Sequence, residues 1–120
     1  MNLSILFVDD DKNLTEGLSR LLTIDRSDID FDTASSGEDA LKLLKTKKYD
    51  VIVSDQKMAG MTGLTLLSVA RTEFPEMKRV MLSAQVHENI FQEAESLAHK
   101  YISKPCDFET IISEIEGLFK

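Results

Sequence analysis

Residues 51–63 read Val-Ile-Val-Ser-Asp-Gln-Lys-Met-Ala-Gly-Met-Thr-Gly, and the fold turns on how that stretch divides. Val51, Ile52 and Val53 form a short apolar run with the character of a buried strand. The run ends at an acid, Asp55. Lys57 to Gly63 holds two glycines and reads as a loop. Downstream, Leu64, Leu67 and Val69 to Phe74 look helical, with Pro75 just past the end.

The same figure recurs on both sides. Leu3 to Val8 is a mostly apolar run, buried on both faces if it is a strand, and it stops at Asp9 and Asp10. Leu14, Leu18, Leu21 and Leu22 follow at helical spacing. Ile29 to Ala34 suits a second strand. Ser35 and Glu38 have capping-box spacing, and Ala40, Leu41 and Leu44 continue a helical stripe. Val80 to Leu82 is strand-like, His87 to Ala98 a weaker helix, and Tyr101 to Ser103 a very short strand. Asp107 can cap a last helix whose face is Phe108, Ile111, Ile112, Ile115, Leu118 and Phe119. Five βα units in succession imply a doubly wound α/β domain: a five-stranded parallel sheet covered by helices on both faces. Right-handed crossovers leave few strand orders, and the flavodoxin-like (βα)5 order 2-1-3-4-5 is the expected one.

A length of 120 residues suits one domain spanning 1–120. The chain has no Trp and few aromatics, so aliphatic side chains must fill the core. Its net charge of -7 argues against direct nucleic-acid binding and against attraction to an anionic membrane surface. The single cysteine, Cys106, excludes an internal disulfide and suits a reducing, cytoplasmic setting. The N-terminal apolar run is too short for a signal peptide or a membrane span.

The topology gives several polar residues one address. Asp9 and Asp10 end the first strand, Asp55 follows the third, Ser83 ends the fourth and Lys104 follows the fifth. In a parallel sheet those ends share an edge, and strands one and three flank the switch point where such sheets bind ligands. Two unit charges about 5 Å apart repel by roughly 3 kcal/mol at an effective dielectric near 20. Three carboxylates there should bind a proton or a cation. An all-oxygen set favours a hard ion such as Mg²⁺ over zinc. Asp11, taken alone, is better explained as a helix cap.

The runs Ile5-Leu6-Phe7-Val8-Asp9-Asp10-Asp11 and Val53-Ser54-Asp55-Gln56-Lys57-Met58, with Gly60 and Gly63, resemble receiver domains of two-component response regulators. So do the pair Ser83-Ala84 and the run Tyr101-Ile102-Ser103-Lys104-Pro105. The four motifs stand in order, each after its own strand, over nearly the whole chain, in the manner of chemotaxis regulators. The resemblance implies that Asp55 is a phosphoacceptor nucleophile. It implies that Asp10, Asp55 and the main-chain carbonyl of Lys57 ligate Mg²⁺, with Asp9 reaching the ion through a water. Lys104 would pair with the phosphoryl oxygens and Ser83 would hydrogen-bond one of them. Ser83 and Tyr101 would form a switch that reshapes the surface of the fourth helix, fifth strand and fifth helix.

The implied donor is a histidine kinase or phosphotransfer protein, and the implied target an output domain or effector protein. The family includes homodimers formed through the last helix, and nothing in the sequence selects that state. The resemblance also implies a switch rather than an enzyme, and a cis peptide bond before Pro105. Ala59 stands where the family often has proline, so the loop near the metal is expected to be more mobile. Small Ala84 leaves access for attacking water.

Other residues carry less. His87 and His99 lack a metal-ligand pattern and suit the surface. Cys106 reads as incidental. Met58, Met61, Met77 and Met81 read as core or loop filler, and Lys45, Lys47 and Lys48 as cations at a helix C-terminus. Two other functions use similar residues. One is a receiver-shaped interaction module that does not use phosphate; the other is an aspartate-dependent phosphohydrolase. The hydrolase would need an acid two residues after its nucleophile. Position 57 is Lys, but Asp9 as nucleophile places Asp11 correctly.

Overall fold

Odd and even residues of the central strands face different helices, and that alternation organises the molecule. In the computed structural model, residues 3–26, 28–84, 88–104 and 106–119 are described. They form β1 (Leu3–Val8), α1 (Lys12–Asp25), β2 (Ile29–Ala34), α2 (Gly37–Thr46), β3 (Val51–Ser54), α3 (Gly63–Glu73), β4 (Lys78–Ser83), α4 (Glu88–Leu97), β5 (Lys100–Ser103) and α5 (Phe108–Gly117). The sheet is five-stranded and parallel in the order β2-β1-β3-β4-β5, as expected. His87 and Pro105 lie outside the described residues, and with them the start expected for the fourth helix and the cis bond.

Ile5, Phe7, Val51, Val53, Val80 and Leu82 pack with Leu18 and Leu22 of α1 and with Ile111, Ile112 and Ile115 of α5. On the other face Leu6, Val8, Ile52 and Met81 meet Ala40 and Leu44 of α2, Leu66, Leu67 and Ala70 of α3, and Ala94 of α4. Both faces of β1, β3 and β4 are thus dry, which is why these strands read as continuous apolar runs. Met58, Met77 and Met81 are buried in the second cluster and Met61 packs against it.

Helix starts follow the capping logic, with one change of register. Asp11, Thr62 and Asp107 cap α1, α3 and α5, each accepting from a main-chain N–H in the first turn. The cap of α2 is Ser36, whose hydroxyl accepts from the Asp39 N–H at 3.1 Å, not the expected Ser35 with Glu38. The Ser35-Ser36 and Glu38-Asp39 doublets offer the same Ser-x-x-acid spacing twice, and the later one starts the helix. Phe119, expected on the buried face of the last helix, lies past the end of α5 and is 36% exposed.

The edge of the sheet away from the acidic motifs is tied together by local ion pairs. Lys47 reaches Asp30 at 2.8 Å and Asp32 at 3.1 Å and sits 5.3 Å from the centre of the Tyr49 ring. The buried Tyr49 donates its hydroxyl to Asp32. Lys47 therefore ties β2 to the α2–β3 connection as well as ending α2. The Tyr49 hydrogen bond, joined by Lys47, holds the Asp32 carboxyl below its ordinary pKa. On the same edge Arg79 is buried and donates through Nε to the Leu97 carbonyl at the end of α4. His99 is exposed, yet its Nδ1 accepts from the Arg79 N–H at 3.0 Å.

Two consequences can be measured. A side-chain carbon at position 63 would overlap the Asp55 carbonyl oxygen, a backbone atom that cannot move aside cheaply. Gly63→Ala is expected to cost about 2 kcal/mol in urea unfolding. Tyr49→Phe is expected to cost about 1 kcal/mol near neutral pH, the low side for a bond to a charged group because Asp32 is over a third exposed. A depressed carboxyl pKa contributes stability above the unfolded value of about 3.9 and loses it as pH falls through the folded value. The gap between wild type and Tyr49→Phe should therefore narrow below about pH 4.

Candidate functional site

The main-chain ladder continues one residue beyond three strands and carries the acidic and basic side chains with it. Val8 and Ser54 are partners across β1 and β3, and the next residue, Asp55, donates its N–H to the Val8 carbonyl at 3.0 Å. Asp9 donates its N–H to Ala34 at 3.1 Å, and Lys104 donates to Ser83 at 3.0 Å. Each site residue is thus fixed by a backbone bond to the neighbouring strand, and the sheet sets their spacing.

Carboxylate oxygens of Asp9, Asp10 and Asp55 lie within 4.8 Å of one another. Asp9 is buried, Asp10 exposed, and Asp55 close to buried at 9% exposure. The Lys104 ammonium bridges two of them, 2.7 Å from Asp9 Oδ2 and 3.4 Å from Asp55 Oδ2. Asp9 Oδ1 accepts from the Asp11 N–H at 2.9 Å, and Asp55 Oδ1 from the Gln56 N–H at 2.8 Å. Burial raises the Asp9 carboxyl above its ordinary pKa, and the bond from Lys104 opposes that rise. Burial works against the charged form of Lys104, but Asp9 and Asp55 outweigh it and its pKa is raised. The group holds three carboxylates against one ammonium, a formal deficit of two positive charges.

Asp55, Lys57, Ser83, Ala84, Lys104 and Cys106 line an open cleft of about 630 Å³. Ser83 is buried at the end of β4. Tyr101 is half-buried on β5, and its hydroxyl donates to the Ser83 carbonyl at 3.3 Å. Burial raises its phenol pKa. Cys106 packs against the α1/α5 core cluster at the rim of the cleft.

The structure therefore brings together Asp9, Asp10, Asp55, Ser83 and Lys104, with Tyr101 directly behind Ser83. Asp11 stands apart in role: its Oδ1 accepts from the Asn13 N–H at 3.0 Å as the cap of α1. The sequence reading passed over Gln56. It is buried, its Oε1 accepts from the Leu64 N–H at 2.8 Å, and its carbonyl accepts from the Gly63 N–H at 3.0 Å. No residue pattern flags an amide beside a stronger acidic motif.

This geometry meets its counterpart in known proteins. A family model described as the response regulator receiver domain matches residues 5–116. The chain belongs to the response regulator receiver domain family. Among its relatives, chemotaxis protein CheY-3 of Vibrio cholerae is 30% identical, with 99% of this chain and 93% of that protein aligned. Response regulator protein VraR of Staphylococcus saprophyticus is 31% identical over 99% of this chain but only 57% of its own length. Response regulator protein TrrA of Thermotoga maritima, solved in complex with Mg²⁺-BeF, superposes with a TM-score of 0.84 at 29% identity, covering 97% of this chain and 98% of that one. Receiver domains are signalling switches of two-component systems rather than conventional enzymes. None of the described helices is long and apolar enough to cross a membrane.

The uncompensated acidity should be visible without any metal. Asp10→Asn is expected to raise stability in EDTA by about 1 kcal/mol, the repulsion being weakened by Asp10's exposure. Urea unfolding of the two proteins side by side checks this. Equal midpoints would mean that the three carboxylates do not strain one another.

Proposed function

We propose that this receiver domain accepts a phosphoryl group from a phosphohistidine on a kinase or phosphotransfer protein onto Asp55, and so controls an output partner from the cytoplasm. The observation that carries this reading is the convergence of three carboxylates with Lys104 beside Ser83 at one sheet edge. The donor set suits a divalent cation. All the ligands are oxygens, there is no thiol or imidazole among them, and the charge left over is that of one such ion. The Thermotoga maritima relative was solved with Mg²⁺-BeF, in keeping with Mg²⁺ here. Asp10, Asp55 and the main-chain carbonyl of Lys57 would hold the ion, with Asp9 reaching it through a water. When bound, the ion offsets the repulsion between an anionic nucleophile and an anionic phosphoryl group.

The chain's own residues account for the rest. The Gln56 N–H holds Asp55 Oδ1, which leaves Oδ2 toward Lys104 and the cleft as the attacking atom. Attack forms an O–P bond and breaks the P–N bond to the donor imidazole, which takes up a proton as it leaves. Lys104 then exchanges part of its pairing with the carboxylates for the new phosphoryl oxygens. Ser83 donates its hydroxyl to one of them. Because Tyr101 donates to the Ser83 carbonyl, a shift of Ser83 is felt on β5 and passed to the α4–β5–α5 surface. The phosphoryl group thereby biases a two-state equilibrium through contacts available in one state only.

Neither competing reading finds the same support. A hydrolase with Asp9 as nucleophile needs Asp9 on the cleft, yet the described lining includes Asp55 and not Asp9, and Lys104 holds Asp9 at 2.7 Å but Asp55 only at 3.4 Å. Its second acid, Asp11, is committed to the α1 cap. A phosphate-independent module has no use for three carboxylates gathered with Lys104 at one edge.

Incubation with Mg²⁺ and acetyl phosphate, followed by intact-mass and site mapping, tests the reading. The expected result is one base-labile, acid-stable phosphoryl group per chain on Asp55, absent in Asp55→Asn and absent in EDTA. Rapid turnover with label on Asp9 would favour the hydrolase. No uptake from any donor would favour the interaction module.

A further inference from the structure

The loop between Asp55 and α3 carries the Lys57 carbonyl, and something must hold it. Position 59 is alanine, so no fixed backbone angle stiffens the loop from within. Met58 and Met61 anchor it by packing against the second core cluster, and the hydrogen bonds at its root come from one residue. Gln56 is 7% exposed, and three of its polar atoms have partners. Its N–H donates to Asp55 Oδ1 at 2.8 Å, its carbonyl accepts from Gly63, and its side-chain Oε1 accepts from Leu64.

Those acceptors matter because the first N–H groups of a helix have no partner within it. In α3 the Thr65 N–H is taken by the Thr62 cap at 3.3 Å. The Gly63 and Leu64 N–H groups both go to Gln56, at 3.0 and 2.8 Å. Gly63, with no side chain, lets the helix start seat directly against the Asp55 main chain. The base of the loop 57–62 is therefore hydrogen-bonded shut by a single residue, whose main-chain N–H also holds the Asp55 carboxylate.

We propose that Gln56 is a positioning residue of the phosphoacceptor site: by clamping the start of α3 to the residue after Asp55, it fixes the Asp55 carboxylate and the Lys57 carbonyl relative to each other for cation binding. The inference rests on the receiver reading above. The side chain has to be an acceptor of glutamine length. Leucine or methionine fills the space but leaves the Leu64 N–H without its partner. Asparagine keeps the amide but is one methylene short. Glutamate keeps the acceptor but adds a fourth negative charge beside three.

The test titrates wild type and Gln56→Met with MgCl2 and no phosphodonor, following backbone amide shifts by NMR, and measures amide hydrogen exchange on the same samples. Loss of an outer contact that orients a ligand typically weakens metal binding 10–100-fold, so the Mg²⁺ Kd is expected to rise about tenfold in Gln56→Met. Leu64 amide exchange is expected to speed up about tenfold, the loss of one hydrogen bond, while Val53 and Leu82 stay protected. Leu22→Ala, which weakens the core on the far face of the sheet, serves as the control and should leave the Mg²⁺ Kd unchanged. If Gln56→Met does not fold, Gln56→Asn is read in the same way.

An unchanged Mg²⁺ Kd in the Gln56 variant, or an equal loss in Leu22→Ala, overturns the positioning role while wild-type phosphorylation on Asp55 keeps the receiver reading intact. A wild-type protein that neither binds Mg²⁺ nor takes phosphate overturns both.

Discussion

Like charges gathered at one edge of a parallel sheet are the constraint around which this molecule is built. The Val8–Ser54 register of β1 and β3, with the Asp55 N–H bonded back to Val8, sets Asp9 and Asp55 side by side whatever their charge. The apolar layers on both faces keep those strands from relaxing apart. For the buried pair Asp9 and Asp55 the repulsion has an upper scale of roughly 3 kcal/mol at an effective dielectric near 20, and it is weaker for exposed Asp10. Lys104 relieves part of it, and its own place is fixed by the bond from its N–H to Ser83. Folding thus creates a charge imbalance at this edge that the residues present do not remove.

The opposite edge shows the contrast. There Lys47 meets Asp30 and Asp32, Arg26 is shared by Asp28 and Glu116 at 3.0 and 2.7 Å, and Lys100 pairs with Glu114 at 2.8 Å on the α5 side. These pairs are mostly solvent-exposed, and singly they contribute little. Their five carboxylates outnumber their three cations by two, the same formal excess as at the site. The edges differ in burial instead: Asp9 and Asp55 are 5% and 9% exposed, whereas the paired groups of the opposite edge are 32% to 59% exposed and screened by water.

Elements with one dominant periodicity were legible from sequence. β1, β3 and β4 read as apolar strand-like runs because both of their faces are covered, and connection rules left a few sheet orders, of which the flavodoxin-like one was expected. The convergence of Asp9, Asp10, Asp55, Ser83 and Lys104 needed only that order. What escaped has a local cause in each case. Ser35-Ser36 with Glu38-Asp39 offers the same cap spacing twice, and spacing alone does not tell that α2 starts at Ser36. Phe119 continues the apolar spacing of α5, but spacing does not reveal that the helix ends at Gly117. Gln56 and Arg79 are polar residues buried by what they bond to, and a bond to the main chain of a distant element leaves no periodic trace.

The coupling between site and surface can be weighed with the same arithmetic. Moving a two-state equilibrium from 1:99 to 99:1 takes about 5.5 kcal/mol of differential interaction. The Tyr101–Ser83 bond is a neutral hydrogen bond, worth about 1 kcal/mol net. It can report a displacement of Ser83 but cannot drive one. In the proposed phosphorylated state the larger share would have to come from charge-assisted contacts between the phosphoryl oxygens and Lys104, whose side chain is only 20% exposed. That contribution would be bounded, because Lys104 would give up pairing with Asp9 and Asp55 as it gained the phosphoryl group. A cation held by Asp10 and Asp55, as proposed, would lower the cost of that exchange by taking over their neutralisation. Lys104 would then be free to pair with the phosphoryl group.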